Sequence, residues 1–255
     1  HITIDGGTWD VFDRYENVMP VMRNLQRSES CGILKSTWPP ITAPAWSTFL
    51  TGVGPGTHGC YFFTTFEEGE MRVLNAKNIQ EHTIYEILST AGRRVVSLNV
   101  PMTYPPSPVN GIVLGGMLTP AGSTDYLYPE KVSWLLEGYE DLLDEERKGI
   151  CMAPWSPSSH RYPRWRRRFV RTATDAIQKR GELFKRVMSK TDWDLFVVHF
   201  HATDHIQHQC WMTIAESGEE RWRSREEGLL EAFYGELDQR IGALLQEMDD
   251  DVSFL

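Results

Sequence analysis

The sequence predicts an α/β fold, a mostly parallel sheet with helices packed on both faces. Three observations carry the prediction. Short apolar runs, such as VVSLNV at residues 95–100 and DLFVVHF at 194–200, alternate with helical stretches. The runs are nearly continuous in apolar character, as strands buried on both faces are. Polar residues with chemical potential follow them directly, at the carboxyl ends where open α/β sheets place ligands.

The elements follow in order. HITID (1–5) reads as a strand closed by Asp5, and the two glycines behind it allow a sharp turn and close approach to a ligand. Asp5 alone reads equally well as the cap of a following helix. VMPVMRNLQRSE (18–29) reads as a helix and CGILKST (31–37) as a strand. APAWSTFLTG (43–52) reads as a helix stopped by Gly52. HTIYEILSTAGRR (82–94) puts Ile84, Ile87 and Leu88 on one face, stops at Gly92, and feeds VVSLNV. GIVLGGML (111–118) is the next buried strand, and a long helical pattern over 160–190 leads into DLFVVHF. The last helix, 227–248, repeats Leu229, Phe233, Leu237, Ile241 and Leu244 at three- and four-residue spacing. VSFL (252–255) reads as another buried strand, so a single domain over 1–255 is expected to be incomplete, with its C-terminal part missing. Residues 119–190 are expected to form a helical insertion or cap.

Composition excludes several classes. A net charge of −9 disfavours a nucleic-acid surface, which needs the opposite sign. No apolar run approaches the roughly 20 residues of a membrane span. Cys31, Cys60, Cys151 and Cys210 form no CxxC pair, which removes a zinc ribbon and disfavours a disulfide framework. A cytoplasmic location is the expectation. The chain opens on His1 rather than Met, so its beginning reads as incomplete and a removed leader stays open. RYPRWRRRFVR (161–171) is the one basic cluster, read first as a solvated helix face and second as a contact for an anion.

Three stretches carry chemistry. HFHATDHIQHQ (199–209) holds four histidines and one aspartate. On a helix, Asp204 and His208 share a face and can converge on one ion. A carboxylate and an imidazole suit zinc, manganese or iron. His199 and His201 share strand parity, and His205 is expected to point elsewhere. Asp5 offers a second carboxylate. Thr42 stands before a helix with Pro44 in its first turn, where unpaired N–H groups favour an anion. Thr42 reads alternatively as a plain helix cap.

Together these pieces resemble the alkaline phosphatase superfamily, in its type I phosphodiesterase/nucleotide pyrophosphatase branch. IDGGTWD matches the family's first-strand Asp before Gly. TAPAWSTFLTGVGPGTHG matches its nucleophile motif through Thr42, Pro44, Thr51, Gly52, Pro55, His58 and Gly59. Asp204 and His208 match its Asp-x-x-x-His, and residues 99–120 are similar to prokaryotic phosphohydrolases of this branch. The resemblance implies two divalent metal ions, zinc first with manganese or iron as alternatives. Asp5 and the Thr42 alkoxide would hold one ion, and Asp204 and His208 the other. It further implies a small phosphate-ester substrate and attack by Thr42 on phosphorus, and it leaves the substrate-binding residues unassigned. The sequence departs from the pattern in two places. The later Asp-His pair is absent from the chain, and Ala45 stands where nucleotide pyrophosphatases often have Asn. A non-catalytic binding module on the same fold is the rival reading. Sulfatases need Cys or Ser at position 42, and phosphomutases generally use serine.

Overall fold

The computed structural model describes residues 1–27, 31–120, 122–137, 162–215, 220–248 and 252–253. Its elements are, in chain order, β1 (Ile2–Ile4), α1 (Trp9–Arg14), α2 (Pro20–Gln26), α3 (Thr42–Thr51) and α4 (Pro55–His58). Then come β2 (Thr64–Glu67), β3 (Glu70–Val73), α5 (Ile84–Thr90), β4 (Val95–Val100), β5 (Gly111–Gly115) and β6 (Leu127–Tyr128). The chain continues with α6 (Tyr162–Lys190), β7 (Leu195–Phe200), α7 (Ala202–Ile214) and α8 (Glu220–Leu245).

The main sheet has the order β1-β7-β4-β5-β6. β1, β7, β4 and β5 are mutually parallel, and β6 pairs antiparallel at the edge. β4 is buried at every position, as its apolar run demands. Val96, Leu98, Phe196, Val198 and Phe200 pack under α1, α6, α7 and α8, forming the larger core. Val95, Val197 and Val113 face the other way, onto Ala43 and Leu50 of α3 and Tyr85 of α5. Helices therefore cover both faces, as the sequence predicts. His199 has the parity of Val197, so its side chain lies on the α3 side.

Local chemistry explains the element ends. Gly52 closes α3 with φ 73, the left-handed turn that glycine takes without penalty. Thr83 and Glu86 form a capping box at the start of α5. Beyond the sheet, Arg166 of α6 pairs with Glu226 of α8 at 2.8 Å. Between them the Thr213 hydroxyl of α7 donates to Glu226 at 2.9 Å and accepts from Arg166 at 3.3 Å. Arg166 is thus spent inside the fold, while Arg164, Arg168 and Arg171 of the same basic run stay exposed.

One expected strand does not form. Residues 31–37 take no regular structure, and Ile33 and Leu34 are 86% and 94% exposed. Among the described residues no neighbouring strand supplies the ladder that β-prone residues need. An antiparallel hairpin appears instead at β2–β3, turning through Glu68 and Gly69, both with positive φ. Residues 254–255 of the expected last strand, and residues 121 and 138–161 of the expected insertion, lie outside the described residues, and residues 252–253 take no regular structure. Within 119–190, β6 joins the sheet edge and α6 packs along α8. Among the described residues no helix is long and apolar enough to cross a membrane.

Candidate metal and phosphoryl site

The site begins with the pairing of β1 and β7. Ile4 lies opposite Phe200, and the Asp5 N–H extends the ladder by donating to the Phe200 carbonyl at 3.0 Å. Asp5 and His201 therefore leave the sheet together at its carboxyl end, and Asp5 Oδ2 sits 2.8 Å from His201 Nδ1. The helix after β1 has Thr8, not Asp5, at its N-cap position, so Asp5 is not a cap.

The start of α7 is fastened to this loop twice. The Thr203 hydroxyl donates to the Asp5 carbonyl at 2.5 Å, and the Gln207 amide donates to the Gly6 carbonyl at 2.6 Å. Gly6 has φ +63, and a side-chain carbon there would stand 3.3 Å from the Asp204 Cα and 3.1 Å from Gln207 Nε2. Glycine at position 6 thus admits α7 against the loop and brings Asp204 beside Asp5. His208 follows one turn later, with Nε2 3.5 Å from Asp204 Oδ2. Asp204 is partly covered and His208 faces solvent, with side-chain exposures of 32% and 72%.

His199 is fully buried, and Trp46 of α3 meets it edge-on at 4.6 Å between ring centres. The Thr3 hydroxyl donates to the Val198 carbonyl at 2.8 Å, so toward His199 Nδ1, 3.0 Å away, it can only accept. Nδ1 therefore carries the imidazole proton, and Nε2 carries a lone pair. Nε2 is buried without a hydrogen-bond partner, 3.7 Å from Asp5 Oδ2. His205 turns toward His201. Its Nε2 lies 2.9 Å from His201 Nε2, extending a chain from Asp5 through His201.

Charge and burial pull against each other here. Burial alone would raise the Asp5 carboxyl, but the His199 and His201 imidazoles beside it hold it well below the usual carboxylate range. Burial pushes His199 down to about 4 against the opposing pull of Asp5, so at neutral pH that ring is uncharged. Asp204 is raised, by burial first and by the Asp5 charge second.

Thr42 is the first helical residue of α3, and Ile41 holds the N-cap position, so Thr42 is not the cap. Two ring contacts give the direction of α3. Phe49 meets His1 at the amino end of β1, and Trp46 meets His199 near the carboxyl end of β7. Thr42 lies one turn beyond Trp46, roughly 6 Å further toward the carboxyl ends. Asp5, Asp204 and His208 are thus gathered around one loop, and α3 directs its amino end to the same side of the sheet. The positions that sequence reasoning passed over are Thr3, Thr203 and Gln207, which hold the others. Their only signal was a hydroxyl or amide near each carboxylate.

The sequence matches the family described as Type I phosphodiesterase / nucleotide pyrophosphatase over residues 1–254. The chain belongs to this family. Among solved structures, it is similar to phosphonoacetate hydrolase from Sinorhizobium meliloti 1021 in complex with phosphonoacetate. That match has 14% identity and a TM-score of 0.59, covering 96% of this chain and 52% of the other. The same protein in complex with phosphonoformate gives 15% identity and a TM-score of 0.53 over the same shares. The chain spans about half the length of these structures, and at such identity the likeness is one of fold. No curated protein matches the chain. Family membership agrees with the resemblance read from the sequence, and the neighbours agree with the parallel sheet.

Proposed function

We propose that the protein hydrolyses phosphoryl esters at the carboxyl end of the sheet, with Thr42 as nucleophile. Asp5, Asp204 and His208 would hold divalent metal, two ions with zinc as the first choice. The observation that carries this reading is the fastening of α7 to the Asp5–Gly6 loop, which sets Asp204 beside Asp5 on the side to which α3 points Thr42. The donor set fits such ions: carboxylates and imidazoles, with a buried lone pair on His199 facing the Asp5 carboxylate. Bound metal would supply positive charge to the phosphoryl oxygens and lower the pKa of a bound hydroxyl.

The chain's own groups would then act as follows. The first-turn N–H groups of α3, which have no intrahelical acceptor, donate to a phosphoryl oxygen. Ala45 adds no side-chain donor, so this contact is left to the backbone. The Thr42 oxygen attacks phosphorus in line as the bond from phosphorus to the ester oxygen breaks; the hydroxyl proton passes to water, and the departing alkoxide leaves with the ester oxygen and takes a proton from water. The resulting phosphothreonine is cleaved by water, which restores the hydroxyl. Asp5 stays a carboxylate throughout the neutral range, as its lowered pKa requires. Trp46, packed on His199, stiffens the path from helix to strand. The solved neighbours are complexes with small phosphonates, in keeping with a small anionic ligand here.

The test is turnover of bis-p-nitrophenyl phosphate by the full-length protein with zinc, with chelator, and as Thr42→Ala. Losses of at least about a hundredfold on chelation and on substitution are expected. Equal turnover by Thr42→Ala would remove Thr42 as nucleophile.

A further inference from the structure

We propose that Asp5 Oδ2, His199 Nε2 and His201 Nδ1 together hold one divalent transition-metal ion, with ligands that the family motif does not include. The three ligand atoms lie within 4.8 Å of one another. Two separations are 2.8 Å, from Asp5 to His201, and 3.7 Å, from Asp5 to His199. Neighbouring donors on a tetrahedral zinc with bonds of 2.0–2.1 Å stand about 3.3 Å apart. The two distances bracket that value, so Asp5 is within about half an ångström of a ligand spacing to each imidazole.

The stronger argument is the orphaned nitrogen. Thr3 forces the proton of His199 onto Nδ1, which leaves the Nε2 lone pair turned toward a carboxylate oxygen. At 3.7 Å no hydrogen bond joins them. Two electron-rich atoms therefore face each other in a place from which His199 is closed to water. Buried polar atoms are nearly always satisfied, and a cation between these two satisfies both.

The surroundings are those of metal-ligating imidazoles, which engage their second nitrogen with a fixed partner. His199 Nδ1–H meets the Thr3 hydroxyl, and His201 Nε2 meets His205 Nε2 at 2.9 Å. When His201 turns its Nδ1 lone pair to the ion, its Nε2–H donates to His205. The ligands come from the ends of two directly paired strands, so their spacing is fixed by sheet register rather than by a loop. Asp5 and His201 keep side-chain exposures of 13% and 10%, which leaves a further position for water or an anionic ligand.

This inference rests on the hydrolase reading for the role of Asp5, but its test reads metal occupancy. Full-length protein stripped by chelator is titrated with cobalt(II), followed by visible absorption, and with zinc against a chromophoric chelator. In the Asp204→Asn/His208→Ala double variant, one ion is expected to remain within about tenfold of its wild-type affinity. Adding His199→Leu to that background is expected to weaken it at least a hundredfold. Loss of all metal from the double variant, with full retention by His199→Leu alone, overturns the proposal while leaving the family ligands and Thr42 chemistry standing. Should His199→Leu fail to fold, anomalous diffraction from zinc-soaked wild-type crystals decides. A peak bonded to His199 Nε2 supports the site, and density on Asp204 and His208 without His199 refutes it. Retained metal with unimpaired Thr42→Ala turnover would instead refute the hydrolase mechanism alone.

Discussion

Thr203→Val probes whether the α7 fastening positions Asp5. Thr203 is 1% exposed, and its hydroxyl donates to the Asp5 carbonyl at 2.5 Å, with a weaker approach to the Phe200 carbonyl at 3.4 Å. Valine keeps nearly the same volume, so the change is chiefly the lost donor. A net hydrogen bond contributes about 1 kcal/mol, and a buried acceptor left unsatisfied costs about 1–3 kcal/mol. The variant should therefore lose about 1–3 kcal/mol, a fall in Tm on the order of 5 °C for a chain of this size. Thr203→Ser keeps the donor and gives up only about 0.8 kcal/mol for one buried methyl. Urea unfolding measures the stability, and zinc competition measures the consequence for Asp5. Groups that orient metal ligands change affinity by roughly 10–100-fold, so the valine variant should lose about tenfold and the serine variant almost nothing. A valine variant as stable as the serine variant, with wild-type zinc affinity, would refute the positioning argument.

Two further outcomes are expected. In metal-free protein, His199 is held at about 4 when folded, against about 6.5 in an unfolded chain, so the unfolded state binds more protons between those values. Stability should then fall as pH drops from about 6.5 to 4, by about 3 kcal/mol in all. Urea unfolding across that range should show the slope in the wild type and not in His199→Leu, and matching slopes contradict the reading. Gly6→Ala and Gly52→Ala separate strain from crowding, because both positions have positive φ but only Gly6 is pressed by neighbours. Both should lose about 1–2 kcal/mol to left-handed strain. Only Gly6→Ala should also weaken zinc, since its new carbon meets the Asp204 backbone, and equal zinc affinities would refute the crowding.

Much of this arrangement was legible in the sequence, for identifiable reasons. β4, β5 and β7 announce themselves because strands buried on both faces are apolar throughout, and α3 and α5 end at glycines that take left-handed turns. Asp204 and His208 pair because residues four apart share a helical face. What stayed hidden depends on which strands are neighbours. The β1–β7 pairing joins residues nearly two hundred apart, and it alone brings Thr3 to His199 and Asp5 to His201. The His201–His205 contact was hidden because His201 already has helical backbone, φ −90 and ψ −26, which makes the two an i, i+4 pair. Residues 31–37 misled by local composition, since Ile33 and Leu34 favour strands yet pair with no strand among the described residues. The β2–β3 hairpin was missed because Phe66, Met71 and Val73 are exposed, and its turn is Glu-Gly rather than the usual Asn-Gly.

The most direct measurement is acid quenching of the full-length, zinc-loaded protein during turnover of bis-p-nitrophenyl phosphate, followed by peptide mass spectrometry. The account predicts a covalent phosphoryl adduct on Thr42 that disappears in Thr42→Ala together with turnover. Turnover that persists in Thr42→Ala, with no adduct on the wild-type peptide, would contradict it.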